Sequence, residues 1–190
     1  MSEADPTIYL IGGVPRTGKS SLARRLVRKL GILNTDTDDL QALFNPFPQL
    51  RIGYYGNPHI QEVMGNFRPS LEHFIGKVVA GGESMVIHGQ AIDPAIAVKC
   101  EQSPHIRSCF MGMSNAEASF ASIRQHEKPQ DWTAHESDDS LRFLVGAFAE
   151  RSHVLEQTCH ALGLLYVDTT PNMVHALHTA YEHLTTPVAS

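Results

Sequence analysis

Apolar residues in this chain fall into short dense runs, separated by stretches whose apolar positions recur every three or four residues. Thr7-Ile8-Tyr9-Leu10-Ile11 is one such run and carries no charge. Runs of this length, rich in β-branched and aromatic residues, predict buried strands. Four more follow: Ile32-Leu33-Asn34-Thr35, Ser84-Met85-Val86-Ile87-His88, Ile106–Met111 and Leu164-Leu165-Tyr166-Val167. Between them the period lengthens. Leu22, Leu26, Val27 and Leu30 share one face of a helix predicted over Ser21–Leu30, with Arg24, Arg25, Arg28 and Lys29 on the other and Gly31 placed to end it. Further helices are predicted to start at Leu40–Phe44, to cover Leu71–Ala80 before Gly81-Gly82, and to cover Pro94–Cys100. Ser114-x-x-Glu117 predicts a capping box for a helix reaching about Gln125. A long helix is predicted over Ser140–Ala161, and Thr170-Pro171 predicts the start of the last one, with proline in its first turn.

Five apolar strands alternating with helices predict a single α/β domain over residues 1–190, built on a parallel sheet covered on both faces. Ligands of such sheets gather at the carboxyl ends of the strands. That rule places the chemistry at Gly12–Ser20, Asp36–Asp39, His88–Asp93, Met111–Asn115 and Asp168–Pro171. Two segments interrupt the alternation. Residues 45–69 hold Pro46, Pro48, Gly53, Gly56, Pro58, Gly65 and Pro69, which predict an irregular insertion. Its aromatics, among them Tyr54 and Tyr55, argue for an ordered, functional segment on the acceptor side. Residues 126–139 are polar and acidic and read as a lid-like connection.

Gly13-Val14-Pro15-Arg16-Thr17-Gly18-Lys19-Ser20 sits between the first strand and the first helix. It satisfies G-x-x-x-x-G-K-[ST], whose glycines let the backbone N–H groups fold around an anion at a helix N-terminus. These eight residues and Ser21 are therefore expected to bind nucleotide. Lys19 would reach the β- and γ-phosphates, and the Ser20 hydroxyl would sit on Mg²⁺.

Composition narrows the remaining choices. Apolar content is 42%, charged content 18% and formal net charge −5. An acidic chain argues against nonspecific nucleic-acid binding, and no apolar run approaches a membrane span. The start Met1-Ser2-Glu3-Ala4-Asp5 lacks the basic-then-apolar order of a signal peptide. The three cysteines lack metal-ligand spacing, so a reduced, cytoplasmic setting is expected.

The phosphate loop, the aspartate-rich turn Asp36-Thr37-Asp38-Asp39 after the second strand, and the irregular segment before the third together resemble the small P-loop kinases of the adenylate-kinase-like group. Thr37-Asp38-Asp39-Leu40 is similar to the turn of 2-phosphoglycerate kinases and related small-molecule kinases. The resemblance implies a three-layer αβα P-loop NTPase fold with strand order 2-3-1-4-5, and ATP and Mg²⁺ as cofactors. It also implies a catalytic acid at Asp38, with Asp36 as its competitor. Asp38 would accept a proton from an acceptor hydroxyl or hold a Mg²⁺ water, and the competing reading is that these acids cap the next helix. Arg124 would stack on adenine, and Thr170 would lie where the adenine edge meets backbone.

The chain also departs from that pattern. His88 stands where related kinases end the third strand in an acid, so metal holding would fall to Ser20 and Asp38. His88 and Gln90 are then expected to touch the acceptor, as are Arg51, Tyr54 and Arg68 of the irregular segment; the alternative for His88 is a hydrogen-bonded core histidine. The lid-like segment has no arginine, which disfavours a nucleotide monophosphate as acceptor. The reading that results is an ATP-dependent kinase acting on a hydroxyl or phosphate of a small molecule. A nucleoside or nucleotide kinase, and an NTP-binding regulatory module or slow NTPase, stand as alternatives.

Overall fold

The computed structural model describes residues 7–53 and 60–186. Five parallel strands form one sheet: β1 (Ile8–Gly13), β2 (Leu33–Asp36), β3 (Met85–His88), β4 (Ile106–Gly112) and β5 (Tyr166–Asp168), in the order β2-β3-β1-β4-β5. This is the order that the resemblance implies. Strand alternation assigns the two faces. Tyr9, Ile11, Val86, Cys109, Met111 and Val167 pack against Leu22, Ala23 and Leu26 of α1 (Lys19–Leu30) and Ala176, Ala180 and Leu184 of α7 (Met173–Thr185). Ile8, Leu10, Ile87, Ile106 and Phe110 face the other way, toward α3 (Ile60–Ala80), α4 (Pro94–Cys100) and α6 (Asp138–Leu162). The remaining helices are α2 (Thr37–Ala42) and α5 (Ala116–His126).

Three expectations need correction. The predicted irregular segment is helical from residue 60, and α3 runs straight through Pro69. Val63, Phe67, Leu71 and Ile75, spaced by four, are all buried to 2% exposure or less. Burial of that stripe outweighs the helix-breaking tendency of Gly65 and Pro69. The N-cap of α5 is Asn115, whose Oδ1 accepts the Ala118 N–H at 3.0 Å, so Ser114 is not the capping residue. Glu117 pairs instead with Arg142 at 3.2 Å. The last helix starts at Met173 behind an Asn172 cap, which leaves Pro171 ahead of it rather than in its first turn.

A third apolar cluster bears directly on the site. Val14 inserts among Met113, Phe120, Ile123, Leu141, Val145 and Phe148, and so anchors the loop after β1 to the α5–α6 pair. No helix among the described residues is long and apolar enough to cross a membrane.

Candidate active site

The loop Gly13–Ser20 leaves β1 at the carboxyl edge of the sheet and leads into the N-terminus of α1. Gly13 has φ +129°, and a Cβ there would run into the Met111 carbonyl. Gly18, the N-cap of α1, has φ +85°, and a Cβ on it would come within 3.0 Å of Met173 Sδ. Backbone conformation thus favours glycine at both positions, and at Gly13 the space does too. The Thr17 hydroxyl and the Lys19 ammonium both donate to the Val14 carbonyl, at 2.9 and 2.6 Å. Ser20 and Ser21 are exposed at the first turn of α1, and Pro15 and Arg16 are half-buried. Arg16 holds a left-handed φ of 64° and pairs with Asp131 of the lid-like segment at 3.1 Å.

The β2–α2 turn brings the acids to this loop. Asp36 caps α2 by accepting the Asp38 N–H at 3.0 Å. The Asp38 carboxylate and the Lys19 ammonium feel each other's charge. Burial pushes the Asp38 pKa up to about 6, the Asp36 charge adds to the rise, and Lys19 opposes it. Lys19 is 9% exposed; burial pushes its pKa down to about 8, against the pull of Asp38 and Asp36. Asp38 Oδ1 is buried with no hydrogen-bond partner. An oxygen-seeking cation fits that orphaned oxygen together with the exposed Ser20 hydroxyl.

Beside the loop opens a cavity of about 540 Å³, lined by Gly13 and Val14, by Gln90, Ile92, Asp93 and Pro94 after β3, and by Glu150, Arg151, Val154, Leu155 and Thr158 of α6. Glu150 and Arg151 are exposed, and among the described residues neither is held by an ion pair. The positive charge of Arg151 reaches as far as Lys19 and depresses its pKa.

The other expected site residues fall in different places. Arg68 pairs with Asp93 at the cavity wall. Arg51 pairs with Glu62 at 2.7 Å and does not line the cavity. Tyr54 lies outside the described residues. His88, expected at the acceptor, is instead 4% exposed, between Asn34 and Asp36 of the neighbouring strand. The guanidinium of Arg124 is occupied by Glu127, Asp138 and the carbonyls of Thr133 and Glu136, which turns it toward the lid-like segment rather than toward an adenine. Arg142, not Arg124, lies closest to an aromatic face, 3.9 Å from the Phe120 ring centroid. Thr170 Oγ1 accepts the Ser114 N–H at 3.0 Å, and its own N–H donates to Asp168 at 2.9 Å, so its polar groups serve to join β4 to β5.

The sequence reading missed Glu150 and Arg151. They lie mid-helix on α6 with no motif around them. The available signal was the column Glu150, Val154, Thr158 beside Arg151, Leu155: two i,i+4 rows that give α6 a mixed polar and apolar face.

No family model matches the sequence, and no curated protein is significantly similar to it. Solved structures do share the fold. Shikimate kinase from Bacteroides thetaiotaomicron superposes with a TM-score of 0.59 at 15% identity, covering 93% of this chain and 97% of that one. A gluconokinase from Sinorhizobium meliloti gives 0.57 at 16% identity over 96% and 93% of the two chains. Shikimate kinase from Acinetobacter baumannii in complex with shikimate gives 0.50 at 17% identity over 95% and 91%. The chain shares with these kinases the three-layer fold of a five-stranded parallel sheet between helices.

Proposed function

We propose that this chain is an ATP-dependent kinase for a small hydroxyl-bearing molecule. One observation carries the reading: a cavity sized for a metabolite opens beside a complete phosphate loop, whose Lys19 feels the charge of the half-buried carboxylate Asp38. The fold shared with shikimate kinase and a gluconokinase supports it.

The loop N–H groups and Lys19 bind the β- and γ-phosphates and offset the charge that builds during transfer. Mg²⁺ held by Ser20 and Asp38 would supply further neutralisation of the phosphate oxygens. Asp38 accepts the proton of the acceptor hydroxyl as that oxygen bonds to the γ-phosphorus. The bond from phosphorus to the β-phosphate oxygen breaks, and ADP leaves. A carboxylate that titrates near pH 6 is ionised at neutral pH and still basic enough for this task.

The acceptor lies in the cavity. Arg151 is placed for an anionic group on it, while Ile92, Pro94, Val154 and Leu155 form its apolar wall. The turn Thr37-Asp38-Asp39-Leu40, similar to that of 2-phosphoglycerate kinases and related small-molecule kinases, supports the same reading. The lid-like segment has no free arginine for a second nucleotide, because the two guanidiniums that reach it, Arg124 and Arg16, are paired with its own groups. In the test, Asp38→Asn keeps ATP binding and loses transfer at least about 10²-fold. Unimpaired transfer by that variant would remove Asp38 from the mechanism.

A further inference from the structure

Three charged side chains line the cavity, and one of them is already spent. Asp93 pairs with Arg68 through Oδ2, and its Oδ1 accepts the Ile96 N–H at 2.9 Å as the cap of α4. Of the uncharged groups on the α6 wall, the Thr158 hydroxyl donates to the Val154 carbonyl at 2.8 Å. Glu150 and Arg151 remain, one charge of each sign, and neither is held by an ion pair among the described residues.

The helix itself does not account for either charge. Both residues lie in the middle of α6, away from the first and last turns on which the helix dipole acts. Neighbours i and i+1 on a helix do not face each other, so the two charges do not neutralise one another along α6. No acid stands three or four residues from Arg151. Around Glu150 those positions hold Gly146, Ala147, His153 and Val154, and the His153 ring meets Gln157 Nε2 at 3.0 Å instead. The cavity is the environment that Glu150 and Arg151 share.

Their charges act together on whatever it holds. A volume of about 540 Å³ is roughly 10 Å across, about the Debye length at 0.1 M salt. A ligand that brings only an anion to Arg151 is repelled by Glu150. A ligand that brings an ammonium as well is attracted by both, so Glu150 discriminates between the two.

We propose that the cavity takes a zwitterionic hydroxy acid, with its carboxylate held by Arg151 and its ammonium by Glu150. The proposal rests on the reading of this cavity as the acceptor site of a kinase, and it narrows the acceptor from any hydroxyl-bearing molecule to those that also carry an amino group.

Matched pairs that differ only in the amino group test it: L-serine and 3-hydroxypropionate, L-homoserine and 4-hydroxybutyrate, D-glucosaminate and 2-deoxy-D-gluconate. Each is titrated calorimetrically into the protein with Mg²⁺ and a non-hydrolysable ATP analogue. At least one amino acid should bind, about five-fold or more tighter than its partner. Glu150→Gln should weaken the amino acid and tighten its partner, bringing the two within about two-fold. Opposite signs follow from removing a charge and not from disturbing the packing. Glutamine suits an exposed mid-helix position as well as glutamate does, so the fold is kept. Arg151→Gln should weaken both members of the pair. Failure of every amino acid to bind, a partner that binds as tightly, or a preference that survives Glu150→Gln would each overturn the proposal. ATP in place of the analogue decides the kinase reading separately. Glu150-dependent preference without transfer defeats that reading and leaves the zwitterion site standing; transfer to the partner acids with no such preference does the reverse.

Discussion

Arg16 Nη1 stands 3.1 Å from Asp131 Oδ2, so the crown of the phosphate loop is tied to the connection between α5 and α6. The tie uses a residue held at a left-handed φ of 64°, a conformation costly for a side chain with a Cβ. Asp131 also accepts the Lys128 N–H at 3.0 Å, and this bond and Arg16 both lower its pKa. An acid in that place competes with phosphate for Arg16. Asp131→Asn is expected to tighten ATP binding by up to about five-fold, the scale of a partly exposed ion pair. Calorimetric titration checks it; unchanged or weaker binding contradicts it.

The pH profile follows from two charges, the buried Lys19 and the half-buried Asp38. Asp38 must be ionised, and its pKa is raised to about 6. Lys19 must be protonated, and its pKa is lowered to about 8. The kcat/KM for ATP should therefore rise with pH through about 6 and fall through about 8, giving a bell. Asp38→Asn should abolish the acid limb in whatever residual activity remains. A flat profile from pH 5 to 9 contradicts these assignments.

Burying Asp38 costs stability, with a definite sign. Its folded-state pKa, about 6, exceeds the ordinary 3.8, so the folded protein binds the proton more tightly than the unfolded chain. That stabilisation is complete below pH 4 and is lost as pH rises through about 6. Asp38→Asn should accordingly melt higher than the wild type at pH 7.5, by an amount worth roughly 1–3 kcal/mol, and nearly equal to it at pH 4. Thermal denaturation at the two pH values tests this. A variant less stable than the wild type at pH 7.5 would mean that Asp38 is satisfied in the fold.

The cavity makes a separate prediction. Val154 lies on its wall at 62% exposure, so a larger side chain there points into open space rather than into the core. Val154→Trp should raise the KM of the acceptor by at least about ten-fold and leave ATP affinity unchanged. Equal losses for both substrates would move the acceptor elsewhere.

The sheet and its ligand edge were legible because strand alternation and strand-end topology are local signals. Ile8 and Leu10 against Tyr9 and Ile11 already separate the two faces. The start of α3 was not legible, since the burial of Val63 and Phe67 that overrides Gly65 and Pro69 is a tertiary effect. At the site, the sequence located the loop, the acids and the strand ends. Capping by these acids and a core place for His88 stood only as alternatives; that Asp36 is the cap and His88 turns inward beside it depends on the pairing of β2 with β3. Arg124 illustrates the same limit. Its position matched an adenine-stacking residue, but its role depends on acceptors drawn from residues up to Asp138, which no local pattern reveals.

The most direct test of the central claim is transfer of labelled γ-phosphoryl from Mg-ATP to pooled hydroxyl-bearing small molecules, hydroxy acids first, with Lys19→Met run beside it. The account predicts a phosphorylated metabolite that disappears in the Lys19→Met protein. Tight ATP binding accompanied only by phosphate release, with no labelled acceptor in any pool, would contradict it and identify a nucleotide-binding module or slow NTPase instead.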